Sequence, residues 1–181
     1  TYNNAATLSS VISETLMYCR DVIVVNDGCT DDTAQIISSF GDRIRSLTQE
    51  RNQGKGVALQ CGLVYARRLG FRYAISIDSD GQHYPADIPA FAQAIEDNPG
   101  TFLVGARNLQ AEGMPGKNTF ANRFSNFWFR LETGIRLDDT QSGYRAYPLE
   151  RIRLGSHLLT GGYEFELEIL VFSVWRGIPV K

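Results

Sequence analysis

The amino-acid sequence predicts a single α/β domain built on a mostly parallel sheet flanked by helices on both faces. Three observations carry this expectation. Apolar residues switch repeatedly between the period of an amphipathic helix and the short continuous runs of buried strands. Acidic or glycine-containing loops, "NDGCTDD", "NQGKG" and "DSDGQH", stand after such runs, where open α/β sheets present ligand-binding groups. The chain has 181 residues, 43% of them hydrophobic, enough for one core and too few for two large ones.

Taken in order, residues 5–18 read as a helix with Leu8, Val11, Ile12, Thr15 and Leu16 on one side. The apolar run "DVIVVND" follows as a strand ending at Asp27, and Asp31 or Asp32 is placed to cap a helix through "TAQIISSF". A strand over 44–48 leads into "RNQGKG", and the next helix is expected to turn Val57, Cys61, Val64, Tyr65 and Leu69 toward the core. Residues 72–78 form another strand, an acidic turn follows it, and a helix near 87–97 ends at Asn98-Pro99-Gly100 before the strand "TFLVGAR". Strands alternating with helices belong in a parallel sheet covered on both faces.

The second half is less regular. "EGMPGKN" (112–118) is a Gly/Pro-rich loop, and "NTFANRFSNFWFRLETG" has helical period with an aromatic stripe of Phe120, Phe124, Phe127, Trp128 and Leu131. That stripe either packs on the core or forms an amphipathic surface facing a membrane or a lipid acceptor. A strand at "SGYRAYP" and a helix near 163–176 complete the pattern, and "RGIPVK" reads as a turn leading into one more strand. A first strand before Thr1 and a C-terminal segment after Lys181 are expected beyond the two ends.

Composition narrows the function. The net charge is -2 with both signs interspersed, which excludes the basic surface of a nucleic-acid binder. Cys19, Cys29 and Cys61 are an odd number without CxxC or Cys/His spacing, which speaks against a disulfide framework or a zinc site and for a reducing compartment. No apolar run approaches the roughly 18 residues of a spanning helix, and no signal-peptide pattern opens the chain.

The chemistry concentrates in four loop motifs after strands: "VVNDGCTDDT", "NQGKG", "IDSDGQH" and "DDTQSGYR". In this order, with βα units between them, they resemble the family 2 inverting glycosyltransferases of GT-A (Rossmann-like) fold, and within them the dolichyl- and polyprenyl-phosphate sugar transferases. The resemblance extends from "TYNN" to "YEFELEILVFSVWRG". It implies a nucleoside-diphosphate-sugar donor, UDP in preference to GDP, whose diphosphate leaves with a full charge and therefore wants a hard cation, Mg²⁺ or Mn²⁺. Two carboxylates at i and i+2 around a small Ser suit such an ion, which prefers oxygen ligands. On this resemblance Asp80 is the firmer metal ligand, Asp78 approaches the ribose or the metal, and the Gln82 amide oxygen completes the shell. Thr1, Tyr2, Asp27, Gly54, Lys55 and Ser79 join Asp78 around the nucleotide sugar, with Asp27 on the base or ribose or else capping its own turn. His83 reads as packing behind the turn.

"DDTQSGYR" is where the resemblance implies the acidic residue nearest the acceptor. For a hydroxyl acceptor, inversion by direct displacement needs a general base, and Asp139 is the candidate, with Asp138 second. A lipid phosphate is already anionic, so Asp139 would position groups while Arg107, Lys117 and Arg123 meet the phosphate. Arg145 either does the same or pairs with Asp139. Glu164, Glu166 and Glu168 are structural or on the acceptor side. The implied acceptor is a polyprenyl phosphate or a glycan on a lipid, with peripheral membrane contact at the cytoplasmic face. The donor half covers roughly residues 1–100 and the acceptor half 101–181.

Rival readings exist. "ISIDSDG" imitates the haloacid dehalogenase signature, but Gln82 follows the Gly where that family has Thr or Ser, and the motif lies far from the chain start. A nucleotidyltransferase would show a Gly-rich, Arg-containing opening signature, which is not visible. A catalytically silent sugar-nucleotide module would not need Asp80 and Asp139.

Overall fold

The computed structural model describes residues 1–106, 116–155, 162 and 164–181, without the side chains of 116–122. Helices and strands alternate as α1 (Ala5–Tyr18), β1 (Ile23–Asn26), α2 (Thr33–Ser39), β2 (Arg45–Thr48), α3 (Lys55–Arg68), β3 (Tyr73–Ser76), α4 (Ile88–Asp97), β4 (Leu103–Val104), α5 (Gly116–Thr133), β5 (Arg145–Pro148) and α6 (Glu164–Trp175). β1 and β2 pair in parallel, from Ile23 opposite Arg45 to Asn26 opposite Thr48. β3 and β4 run in the same direction, but β5 lies between them and is antiparallel to both. The connection that contains α5 is long enough to bring β5 back in either direction, and the chain enters β5 antiparallel to both neighbours. After α6, residues 179–181 run parallel to β4, with Phe102 N–H donating to the Pro179 carbonyl (2.8 Å) and Lys181 N–H to the Phe102 carbonyl (3.0 Å). The turn expected from "RGIPVK" therefore forms, but it leads into an isolated parallel bridge, Val180 opposite Phe102, and not into a regular strand.

The larger core gathers Leu63 of α3, Phe102, Phe129 of α5, Tyr147 and Leu149 around Phe165, Ile169 and Leu170 of α6. A second core sets Leu8 and Ile12 of α1 against Val24, Ile37, Phe40 and Ile44. Every residue of β5 is buried, as a strand paired on both edges requires.

One local expectation changes and two open choices close. α3 buries Gly56, Ala58, Leu63 and Ala66, while Cys61 is exposed and Leu69 is 42% exposed. Small residues win that face because the helix lies close to the sheet; a Cβ on Gly62 would sit 3.1 Å from the Val25 side chain. In front of α2 it is Asp31, not Asp32, whose carboxylate accepts the Thr33 N–H (3.0 Å), and a second bond comes from the Ala5 N–H (3.2 Å). Among the described side chains of α5 Phe129 is the buried one, and Phe124, Phe127, Trp128 and Leu131 are 58%, 60%, 43% and 62% exposed. The aromatic stripe is thus a surface, not a core face; the Phe120 side chain lies outside the described residues.

Candidate active site

β3 delivers Asp78, Ser79 and Asp80 to its carboxyl edge, and the opening of the chain braces that turn. The Asn4 amide donates to Ser79 Oγ (2.8 Å) and the Thr7 hydroxyl to the Ser79 carbonyl (2.5 Å). Thr1 extends alongside β1, its carbonyl accepting the Asp27 N–H (3.0 Å). Tyr2, 46% exposed, stands next to it.

Asp27 is 2% exposed and spends its carboxylate on backbone. Oδ1 accepts the Gln53 N–H (2.8 Å) and Oδ2 the Gly54 N–H (2.9 Å). It fixes the "NQGKG" loop and does not cap its own turn, which Asn26 Oδ1 holds by accepting the Cys29 N–H (2.9 Å). The two loops touch at Gly28, whose φ is +66° and where a Cβ would lie 2.3 Å from the Arg51 carbonyl carbon.

With that loop pinned, Lys55 points at the acidic turn. Its Nζ lies 3.0 Å from both Asp78 oxygens and 3.0 Å from Glu166 Oε2 on α6. Burial works most strongly against the ammonium, yet Glu166 and Asp78 together outweigh it and hold its pKa above the usual lysine value. The "DDTQSGYR" loop closes from the other side: a Cβ on Gly143 would fall 2.6 Å from Asp78 Oδ2 and 2.9 Å from Lys55 Nζ. His83 is buried, accepts the Asp78 N–H at Nδ1 (3.0 Å) and stacks on Tyr144 at 5.1 Å. It supports the turn from behind.

Arg145 is fully buried and its guanidinium serves carbonyls. Nε donates to Ser142 (2.7 Å), Nη2 to Thr140 (2.9 Å) and Nη1 to Glu166. The expected choice between pairing with Asp139 and meeting a phosphate therefore gives way to stitching the "DTQSG" loop to α6. Asp139 is 2% exposed and accepts the Gln141 N–H (3.0 Å). With Asp138, Arg136, Ala106 and Lys181 it lines a cleft of about 270 Å³. Arg123 is exposed on α5. Arg107 and the Lys117 side chain lie outside the described residues.

The donor chemistry of the turn fits a hard dication. Asp80 is exposed, and its Oδ1 takes the Gln82 backbone N–H (2.9 Å). Asp78 fits once Lys55 yields one of its oxygens. Gln82 contributes its backbone to the turn and carries an exposed side chain. Among the described residues no three His, Cys, Asp or Glu side chains are grouped so as to hold a metal ion.

Asn4 and Gly143 join this cluster and stood in the sequence only inside the quoted "TYNN" and "DTQSGYR". Glu166, read from sequence as structural or on the acceptor side, reaches Lys55.

An α/β sheet that ends in an acid-x-acid turn, with a lysine-bearing loop beside it and a second acidic loop facing it, defines a GT-A-type glycosyltransferase. The chain belongs to glycosyl transferase family 2, whose profile matches residues 1–148. It is similar to the polyprenol monophosphomannose synthase of Mycolicibacterium smegmatis, 26% identical with 98% of this chain and 69% of the relative covered. It is also similar to the UDP-N-acetylglucosamine–dolichyl-phosphate N-acetylglucosaminyltransferase of Methanococcus voltae, 28% identical over 95% of this chain and 76% of the relative. Among solved structures, glucosyl-3-phosphoglycerate synthase of Mycobacterium tuberculosis, in complex with Mn²⁺, UDP and its glucosyl product, superposes with a TM-score of 0.69 at 22% identity, covering 99% of this chain and 66% of that one. This likeness is one of fold. The chain spans 59% to 62% of several further relatives named as dolichyl-phosphate β-glucosyltransferases.

Proposed function

We propose that the chain transfers a sugar, with inversion, from a nucleoside-diphosphate sugar to a polyprenyl phosphate, with Mg²⁺ or Mn²⁺ at Asp80 and Asp78. One observation carries the reading: the loops at Asn4, Lys55 and Gly143 converge on the Asp78–Asp80 turn. When bound, the cation would stabilise the diphosphate charge as it leaves. Lys55 supplies a fixed positive charge beside the same group, and Asp27 keeps its loop in place. Tyr2 borders the base. The UDP of the mycobacterial structure and the UDP-sugar in the archaeal relative's name support UDP over GDP.

The names of the two relatives, each a lipid-phosphate transferase, support the acceptor. An anionic phosphate needs no strong base, so Asp139 orients the acceptor cleft while Arg107, Lys117 and Arg123 meet the charge. Tyr144 and Tyr147 supply no base either: burial is the main cause that pushes both up to about 12. The exposed aromatic face of α5 supports docking at the cytoplasmic surface of a membrane; no helix among the described residues is long and apolar enough to cross one.

The test is calorimetric titration with UDP and with GDP, each with and without Mn²⁺, followed by transfer assays with a short polyprenyl phosphate and with a glycan acceptor. UDP binding that needs the metal, and transfer to the phosphate that survives Asp139→Asn within about tenfold, are the expected results. A loss of 10²-fold or more in that variant would make Asp139 a general base and the acceptor a hydroxyl.

A further inference from the structure

Lys55 is shared by two carboxylates, and only one belongs to the acidic turn. The other, Glu166, sits in the first turn of α6 and is buried, with Oε2 on Lys55 and with Oε1 lacking any hydrogen-bond partner among the described residues. A buried carboxylate oxygen without a donor is costly, and a buried ion pair seldom stabilises more than apolar residues of the same volume. Nor does α6 need this charge to stay in place, because Arg145 holds the Glu166 carbonyl. Stability therefore does not account for the side chain. Asp78, meanwhile, must open to a dication, yet Lys55 occupies both of its oxygens, and an approaching cation meets a like charge there.

Resting on the donor reading above, we propose that Glu166 is a positioning residue that relieves Asp78 of Lys55. As dication and diphosphate arrive, Lys55 exchanges its contact with Asp78 for one with Glu166, whose unsatisfied Oε1 provides the extra acceptor. The ammonium then stays beside the diphosphate without blocking the metal. In this way α6, an element of the acceptor half, sets the metal affinity of the donor half.

The test is the Mn²⁺ concentration for half-maximal UDP binding, measured by calorimetry on the wild type, Glu166→Gln, Lys55→Met and the double variant, with thermal melting to verify folding. Glu166→Gln removes one of the two carboxylates that hold Lys55 and is expected to raise the Mn²⁺ requirement about tenfold. Lys55→Met is expected to lower it, and adding Glu166→Gln to Lys55→Met should change it by less than about twofold. A merely structural Glu166 would shift the melting temperature without this dependence on Lys55. A folded Glu166→Gln protein with the wild-type requirement, or an effect undiminished in the Lys55→Met background, would overturn the inference. Should Glu166→Gln not fold, a Mn²⁺ requirement that fails to fall in Lys55→Met overturns it equally. Wild-type protein that binds UDP without regard to Mn²⁺ would instead overturn the donor reading, and this inference with it.

Discussion

Asp80 and Asp78 differ in their surroundings, and the difference decides what each substitution does. Asp80 is exposed and accepts one backbone bond, so Asp80→Ala is expected to abolish Mn²⁺-dependent UDP binding and to leave the melting temperature within a degree or two of wild type. Asp27 is the opposite case. Asp27→Ala strands two loop N–H groups at once and should cost about 2–4 kcal/mol in denaturant unfolding, with a parallel fall in UDP affinity as the Lys55 loop loosens. Gly28→Ala should cost a similar amount, about 2–4 kcal/mol, because its Cβ would lie 2.3 Å from Arg51 backbone at a positive φ. The carboxylates of the acidic turn were legible because a polar pair at the end of an apolar run has little to do but bind. The partners of Asp27 and Glu166 were not legible, since each meets its contacts through the folded chain and no local spacing announces them.

Among the elements, hydrophobic period located the helices and the buried face of α1, Leu8, Val11, Ile12 and Thr15, but misjudged the face that α3 buries. A period reveals that a stripe exists; what it faces depends on the neighbours. In α3 close approach to the sheet selects glycine and alanine, a signal that a search for large apolar residues passes over. In α5 Phe124, Phe127, Trp128 and Leu131 face outward, with Trp128 edge-on to Phe124 and Phe127 at 6.0 and 5.8 Å. Trp175 of α6, 58% exposed, lies beside them through its Nε1 bond to the Glu132 carbonyl (3.2 Å). Phe127→Ser combined with Leu131→Ser should therefore change stability by no more than about 1 kcal/mol while sharply reducing cosedimentation with anionic lipid vesicles. The parallel pairing read from the alternation of elements gives way at β5, which is antiparallel to both of its neighbours.

For the molecule as a whole, the proposed donor and acceptor halves share one packing: Leu63 and Ala66 of the first enter the same core as Phe102, Phe165 and Ile178 of the second. One cooperative unfolding transition is the expected result, with near-ultraviolet dichroism and tryptophan fluorescence giving coincident curves. The position of β5 has a consequence for biosynthesis. Ala146 stands opposite both Ile75 and Leu103, so the strand made last of the three is the one that joins the other two. On the ribosome, β1 can close on β2 early, whereas β3 must wait until residue 148 has emerged. Pulse-labelled hydrogen exchange should then show the amides of Ile75, Leu103 and Ala146 gaining protection in one phase. The acidic turn becomes rigid at that moment and not before, so a nascent fragment carrying all of its donor-side residues is still unable to hold a nucleotide sugar.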